Sequence, residues 1–149
     1  MKKNITWVVV ADHQRARVLM NGGPGRGLLP VAAMNLQTHL KAGRDIVTDR
    51  PGRSFESKGN MRHAMQPRVD PHRQAAERFV GRVAKALTAA SEKGDYDRLV
   101  LIAPPRALGE FRKLLPASVK DKLIGEVGED LTKAPTKALS RHVGAFLTL

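Results

Sequence analysis

The sequence predicts an α/β fold: one domain, residues 1–149, built on a single mixed sheet of about five strands with helices packed on it. Three observations lead there. Trp7-Val8-Val9-Val10 is an unbroken apolar run, which suits a strand buried on both faces. A helical stripe begins at Asp70, and a second unbroken run, Leu99 to Ala103, stands between that helix and another, as a parallel strand in an α/β layer does. A chain of 149 residues can bury roughly two-thirds of the surface its unfolded form exposes, so a real core is available.

Taken in order, Ile5 to Ala11 is the first and central strand, Asp12-His13-Gln14 a turn, and Ala16 to Met20 the second strand. Gly22-Gly23-Pro24-Gly25-Arg26-Gly27 reverses the chain before a third strand from Leu29 to Leu36, which completes an antiparallel meander. A long basic loop follows, at about residues 41–69. Asp70-Pro71 then opens a helix, with an oxygen-bearing cap and a proline where a missing N–H is harmless. Ala75, Ala76, Phe79, Val80, Val83, Ala84, Leu87 and Ala90 recur at helical spacing, and Gly94 is the stop. Leu99 to Ala103 is the parallel fourth strand. Helices at Arg106 to Leu115 and around Ser118 to Lys122, an edge strand at Leu123 to Val127, and a helix opened by Ala134-Pro135 complete the chain.

The formal charge of +12 favours an acidic partner, because Lys and Arg that neutralise phosphates release counterions. The absence of cysteine excludes disulfides and thiolate metal sites. The apolar run after the basic start is interrupted at Asp12, too short for a secretory segment or for the ~20 residues of a membrane helix. The expectation is a soluble, cytoplasmic protein with no membrane span and no cofactor. No interface is legible, so the oligomeric state is left unassigned.

Several chemistries are set aside by spacing. The glycine-rich turn lacks the Gly-Lys-Ser/Thr ending of a phosphate loop and reads as a hairpin reversal. His13, His39, His63, His72 and His142 include no i, i+4 pair, so no metal site is assigned. No Gly-x-Ser-x-Gly elbow is present, and no spacing rule supports a triad of Ser54, His63 and Asp49. A three-strand meander followed by helix, strand and helix is also the skeleton of the ribonuclease H-like architecture, whose nucleases converge carboxylates on metal. Here Asp12 follows the first strand while Asp97 precedes the fourth, which puts them at opposite ends of the sheet.

The loop carries the positive charge. From Lys41 to Arg73 there are eight Lys/Arg against four Asp/Glu, interspersed with Pro51, Gly52, Gly59 and Pro67. Arginine forks suit phosphate oxygens, and Phe55 is the one aromatic available to stack on a base. The plainer alternative pairs those arginines with Asp45, Asp49, Glu56 and Asp70 in a solvated loop.

Asp49-Arg50-Pro51-Gly52-Arg53-Ser54-Phe55, Arg62-His63-Ala64, Asp70-Pro71, Leu99 to Gly109 with its Ala-Pro-Pro-Arg, and Asp130-Leu131-Thr132 together resemble the bacterial host attachment protein family. That family is similar to the central domain of archaeal and eukaryotic peptide-chain release factors. The resemblance implies a ribonuclease H-like fold and a translational role. In release factors the corresponding loop carries Gly-Gly-Gln; here it contains Gly52-Arg53, Gly59-Asn60 and Gln66, and no Gly-Gly-Gln. Peptide release therefore transfers to no residue, and no catalytic residue is assigned.

The expected function is a non-catalytic RNA- or ribosome-binding domain, with Arg50, Arg53, Phe55, Arg62, His63, Arg68 and Arg106 as the binding set. The alternative is an attachment protein whose loop binds an anionic polymer or a protein partner.

Overall fold

The computed structural model describes residues 4–38 and 70–149. Strand β1 (Thr6–Ala11) is the spine. It pairs antiparallel with β2 (Arg15–Asn21) in the register Thr6↔Asn21 to Ala11↔Ala16. On its other side it runs parallel to β5 (Arg98–Ile102), Thr6 beside Arg98 and Val10 beside Ile102. Strand β6 (Leu123–Val127) lies parallel to β5 at the sheet's edge, with an irregularity between Leu99 and Val100. Every residue of β1 is buried, because both of its faces are covered.

The expected third strand is not one strand. Two short pieces, β3 (Leu29–Pro30) and β4 (Leu36–Gln37), each pair antiparallel with β2, and a 3-10 turn at Ala32–Met34 separates them. The sheet therefore has six strands, not five, in the order β3-β2-β1-β5-β6 with β4 also on β2. Pro30 accounts for the break, since it has no N–H to extend a ladder and is tolerated only where the strand is an edge. The Val31 N–H makes one more bond, to the Val18 carbonyl at 2.8 Å, before the chain turns away. The glycine-rich segment is the β2-to-β3 reversal, with Gly25 at φ 80° and Gly27 at φ 64°, values that glycine reaches without strain.

Helices cover the two faces unequally. Helix α1 (Pro71–Glu92) lays Phe79, Val80, Val83 and Leu87 on Trp7, Val9, Leu99 and Leu101. Helix α2 (Pro105–Leu114) adds Ala107, Leu108 and Phe111 to that cluster, and the short α3 (Ala117–Lys120) adds Val119. On the opposite face α4 (Thr136–Val143) packs Leu139 and Val143 against Val8, Val10, Leu19, Val100 and Ile102. The apolar run of residues 7–10 is thus divided by the strand's period of two between two cores.

Helix α1 starts where the sequence places its cap. Asp70 is extended, at φ −78° and ψ 114°, and its Oδ1 accepts from the His72 N–H at 3.0 Å. Asp70→Ala is expected to lower the unfolding free energy by about 1 kcal/mol, visible as a fall in urea midpoint with an unchanged slope. No fall would show that the turn is held by something other than its cap.

The link from α1 to β5 is tied by Tyr96, which is buried, stacks on Trp7 at a centroid distance of 4.8 Å, and donates its hydroxyl proton to the Leu87 carbonyl at 2.8 Å. Burial pushes its pKa up to about 12. An unfolded phenol ionises near 10, so between about 10 and 12 the folded chain keeps a proton that the unfolded chain has lost. Stability from this group is complete below pH 10 and is lost as pH rises through that window, by about 2 to 3 kcal/mol in all. Because Tyr96 is the chain's one tyrosine, ultraviolet titration reads it directly. Phenolate absorbance appearing near pH 10 in a chain that is still folded would contradict the burial argument.

Candidate functional site

The carboxyl ends of β1 and β5 and the first turns of α1 and α2 meet in an open cleft of about 470 Å³. In sheets with parallel strands this edge is the usual place for a ligand, because the loops that leave it converge there. Four carboxylates line the cleft, from Asp12, Asp70, Glu110 and Asp130, together with Arg73, Arg106, His13, His72 and Gln14.

Most of those carboxylates have structural partners. Asp12 Oδ1 accepts from the N–H groups of Gln14 and Arg15 at 2.7 and 2.8 Å, which closes the β1-to-β2 turn. Thr132 Oγ1 lies 2.8 Å from Asp130 Oδ1 and 3.3 Å from Asp12 Oδ2, so its hydroxyl bridges that turn to the segment after β6. The segment is held from below by Arg17, whose Nη2 donates to the carbonyls of Leu131 and Ala134. Desolvation lowers the pKa of Arg17 from its ordinary value, and a guanidinium remains charged even so.

Across the cleft His13 Nε2 is 2.8 Å from Glu110 Oε1, both side chains being largely covered. Glu110 also faces Arg106 one helical turn away, at 3.9 Å from Oε2 to Nε. The side chain of Arg106 is 58% exposed, so its remaining donors are open to an incoming anion. Arg73, 3.7 Å from Glu77, is similarly exposed on α1. The two arginines sit at the amino ends of their helices, where the backbone dipole also favours negative charge. Among the described residues no three His, Asp or Glu side chains are grouped to hold a metal ion.

Arg106 is the one member of the expected binding set that lies among the described residues, and it is at this cleft. Arg50, Arg53, Phe55, Arg62, His63 and Arg68 lie outside them. The described chain nevertheless stops and resumes beside the cleft. The Thr38 N–H donates to the Gln14 carbonyl at 2.7 Å, and Gln14 and Asp70 are both lining residues. The separation of Asp12 from Asp97 is as expected: Asp97 sits at the far end of the sheet, where its Oδ2 accepts the Ile5 N–H at 2.8 Å. Glu77, on α1, is half-exposed against Arg73. Sequence reasoning did not find the His13–Glu110 pair or the bridge through Thr132. The Asp130-Leu131-Thr132 motif was the one signal that pointed to the second.

A family model described as "protein required for attachment to host cells" matches residues 7–143. The chain belongs to that family. As a host attachment protein it carries, within the matched span, both the residues that line the cleft and the basic stretch of sequence from 41 to 69. No curated protein matches it. Solved structures similar to it include an archaeal translation termination factor, aRF1, at 14% identity and a TM-score of 0.47, covering 95% of this chain and 38% of that one. A second, described as an archaeal protein, is 13% identical with a TM-score of 0.48, covering 98% of this chain and 35% of that one. The chain thus spans little more than a third of either structure. No helix of the described residues is long and apolar enough to cross a membrane.

Proposed function

We propose that this host attachment protein is a non-catalytic domain that binds RNA, in the ribosome or free, through its basic segment and the exposed rim of the cleft. The observation that carries the proposal is the charge of residues 41–73, eight Lys/Arg against four Asp/Glu in a chain of net charge +12. Arg50, Arg53, Arg62 and Arg68 contact phosphate, His63 lies within the same set, Phe55 stacks on a base, and Arg106 extends the surface from α2. The geometry of the cleft supports this division of labour, because its carboxylates are engaged in the turn, the cap and the bridge while Arg106 and Arg73 project outward.

Co-sedimentation with ribosomes at low salt, followed by crosslinking and sequencing of bound RNA, tests the proposal. Binding is expected to weaken steeply as salt rises, as counterion release requires. Failure to co-sediment together with an absence of crosslinks would reject it. The family's description favours a second reading, in which the same segment binds an anionic polymer or protein partner in attachment. Cell fractionation separates the two, since recovery of the native protein outside the cell would favour attachment.

A further inference from the structure

Helix α1 carries on one flank two features that its own stability does not ask for. Arg78, Arg82 and Lys85 are exposed there at spacings of four and three residues, which sets them in a row along the helix. No carboxylate stands three or four positions from any of them, and none makes an ion pair among the described residues. Like charges so placed repel one another and weaken a helix. The second feature is Gly81, at mid-helix, where only proline is less favourable than glycine. Packing does not call for it, because a Cβ there would meet no described atom within 4 Å, and its φ is not positive.

The two features coincide. Where Gly81 has no side chain there is an open groove of about 560 Å³, lined also by Arg78, Arg82, Lys85 and Thr38. Arg82 lies over the Phe79 ring, 5.6 Å from its centroid, which restrains the planar guanidinium. The groove begins just beyond Arg73 of the cleft, and Thr38 is the last described residue before the basic stretch of 41–69.

We infer that this groove holds the sugar–phosphate backbone of one RNA strand, with Arg78, Arg82 and Lys85 on neighbouring phosphates and Gly81 admitting the strand close to the helix. The inference rests on the RNA-binding reading above and adds a second track to it. Along a helix, steps of four and three residues advance about 6 and 4.5 Å, a pitch comparable with the separation of phosphates in one strand. A small anion would engage one of these cations, whereas a row about 10 Å long calls for a polyanion. Guanidinium forks suit phosphate oxygens. Protein partners centre on apolar and aromatic anchors, and the groove's one aromatic, Phe79, is only 2% exposed.

Fluorescence anisotropy of a labelled single-stranded oligouridylate, titrated with the full chain over a range of salt, tests this. Replacing Arg78, Arg82 and Lys85 together by glutamine should weaken binding by tenfold or more and lower the salt slope by about 2, at roughly 0.7 per phosphate. The same replacement of Lys133, Lys137 and Arg141, exposed on the opposite face of the sheet, removes equal charge and should leave the slope almost unchanged. Gly81→Leu alters no charge; it should weaken binding severalfold while raising the melting temperature. Wild-type affinity in Gly81→Leu, equal losses in the two triple variants, or equal competition by polyglutamate would overturn the inference and leave the RNA reading standing. Oligouridylate that fails to bind a chain that does co-sediment with ribosomes would do the same, whereas failure of both would reject the two together.

Discussion

Replacing Arg50 and Arg53 together by alanine is expected to remove most ribosome co-sedimentation at low salt. A charge-assisted hydrogen bond to phosphate contributes about 1.4 kcal/mol or more, so the pair accounts for roughly a hundredfold in affinity. The slope of log affinity against log salt should fall by about 1.4, at roughly 0.7 for each single-strand phosphate that is no longer neutralised. A charge-matched control separates direct pairing from general attraction. Lys137 and Arg141 lie on α4 and do not line the cleft. Their double alanine variant changes net charge equally and should leave the slope almost unchanged. Equal losses in the two variants would mean that binding follows net charge, and the assignment of Arg50 and Arg53 would be abandoned.

The second large effect concerns stability. Phe111 is wholly buried in the cluster shared by α1, α2 and the sheet. Phe111→Ala is expected to cost about 3 to 5 kcal/mol, through lost burial and the cavity left behind. Against a typical total of about 5 to 15 kcal/mol for a domain, that brings the chain near its unfolding threshold. Urea denaturation measures it, and a cost below about 1 kcal/mol would show that the core collapses freely around the gap. Phe111 shares α2 with Arg106 and Glu110, so the same variant should loosen the cleft's wall.

The parts of the fold legible in the sequence are those written in local pattern. The run at residues 7–10 announced a strand covered on both sides, Asp70-Pro71 a helix start, and Leu99 to Ala103 a parallel strand. Leu29 to Leu36 misled because its hydropathy is that of one strand, while Pro30 ends the ladder after two residues. The cleft was harder to see. Arg106 was legible as a charge following a strand end, but its neighbours are joined across the chain: His13 and Glu110 are 97 positions apart, and Asp12 and Thr132 are 120 apart. No local periodicity encodes such pairs. They arise because parallel pairing of β1 with β5 brings the loops after both strands to one edge.

That parallel pairing also bears on how the chain is made. Ile5 meets Asp97 across 92 positions, so the most deeply covered strand is synthesised long before its partner exists. At ribosomal speeds of roughly 5 to 20 residues per second, β1 waits about 5 to 20 s with only the β2 hairpin on one flank. During that interval Trp7 to Val10 presents an unprotected edge of the kind that recruits chaperones or nucleates aggregation. Fragments ending before Ile102 should therefore collect in inclusion bodies, while chains extending past β5 leave the ribosome able to close their own core.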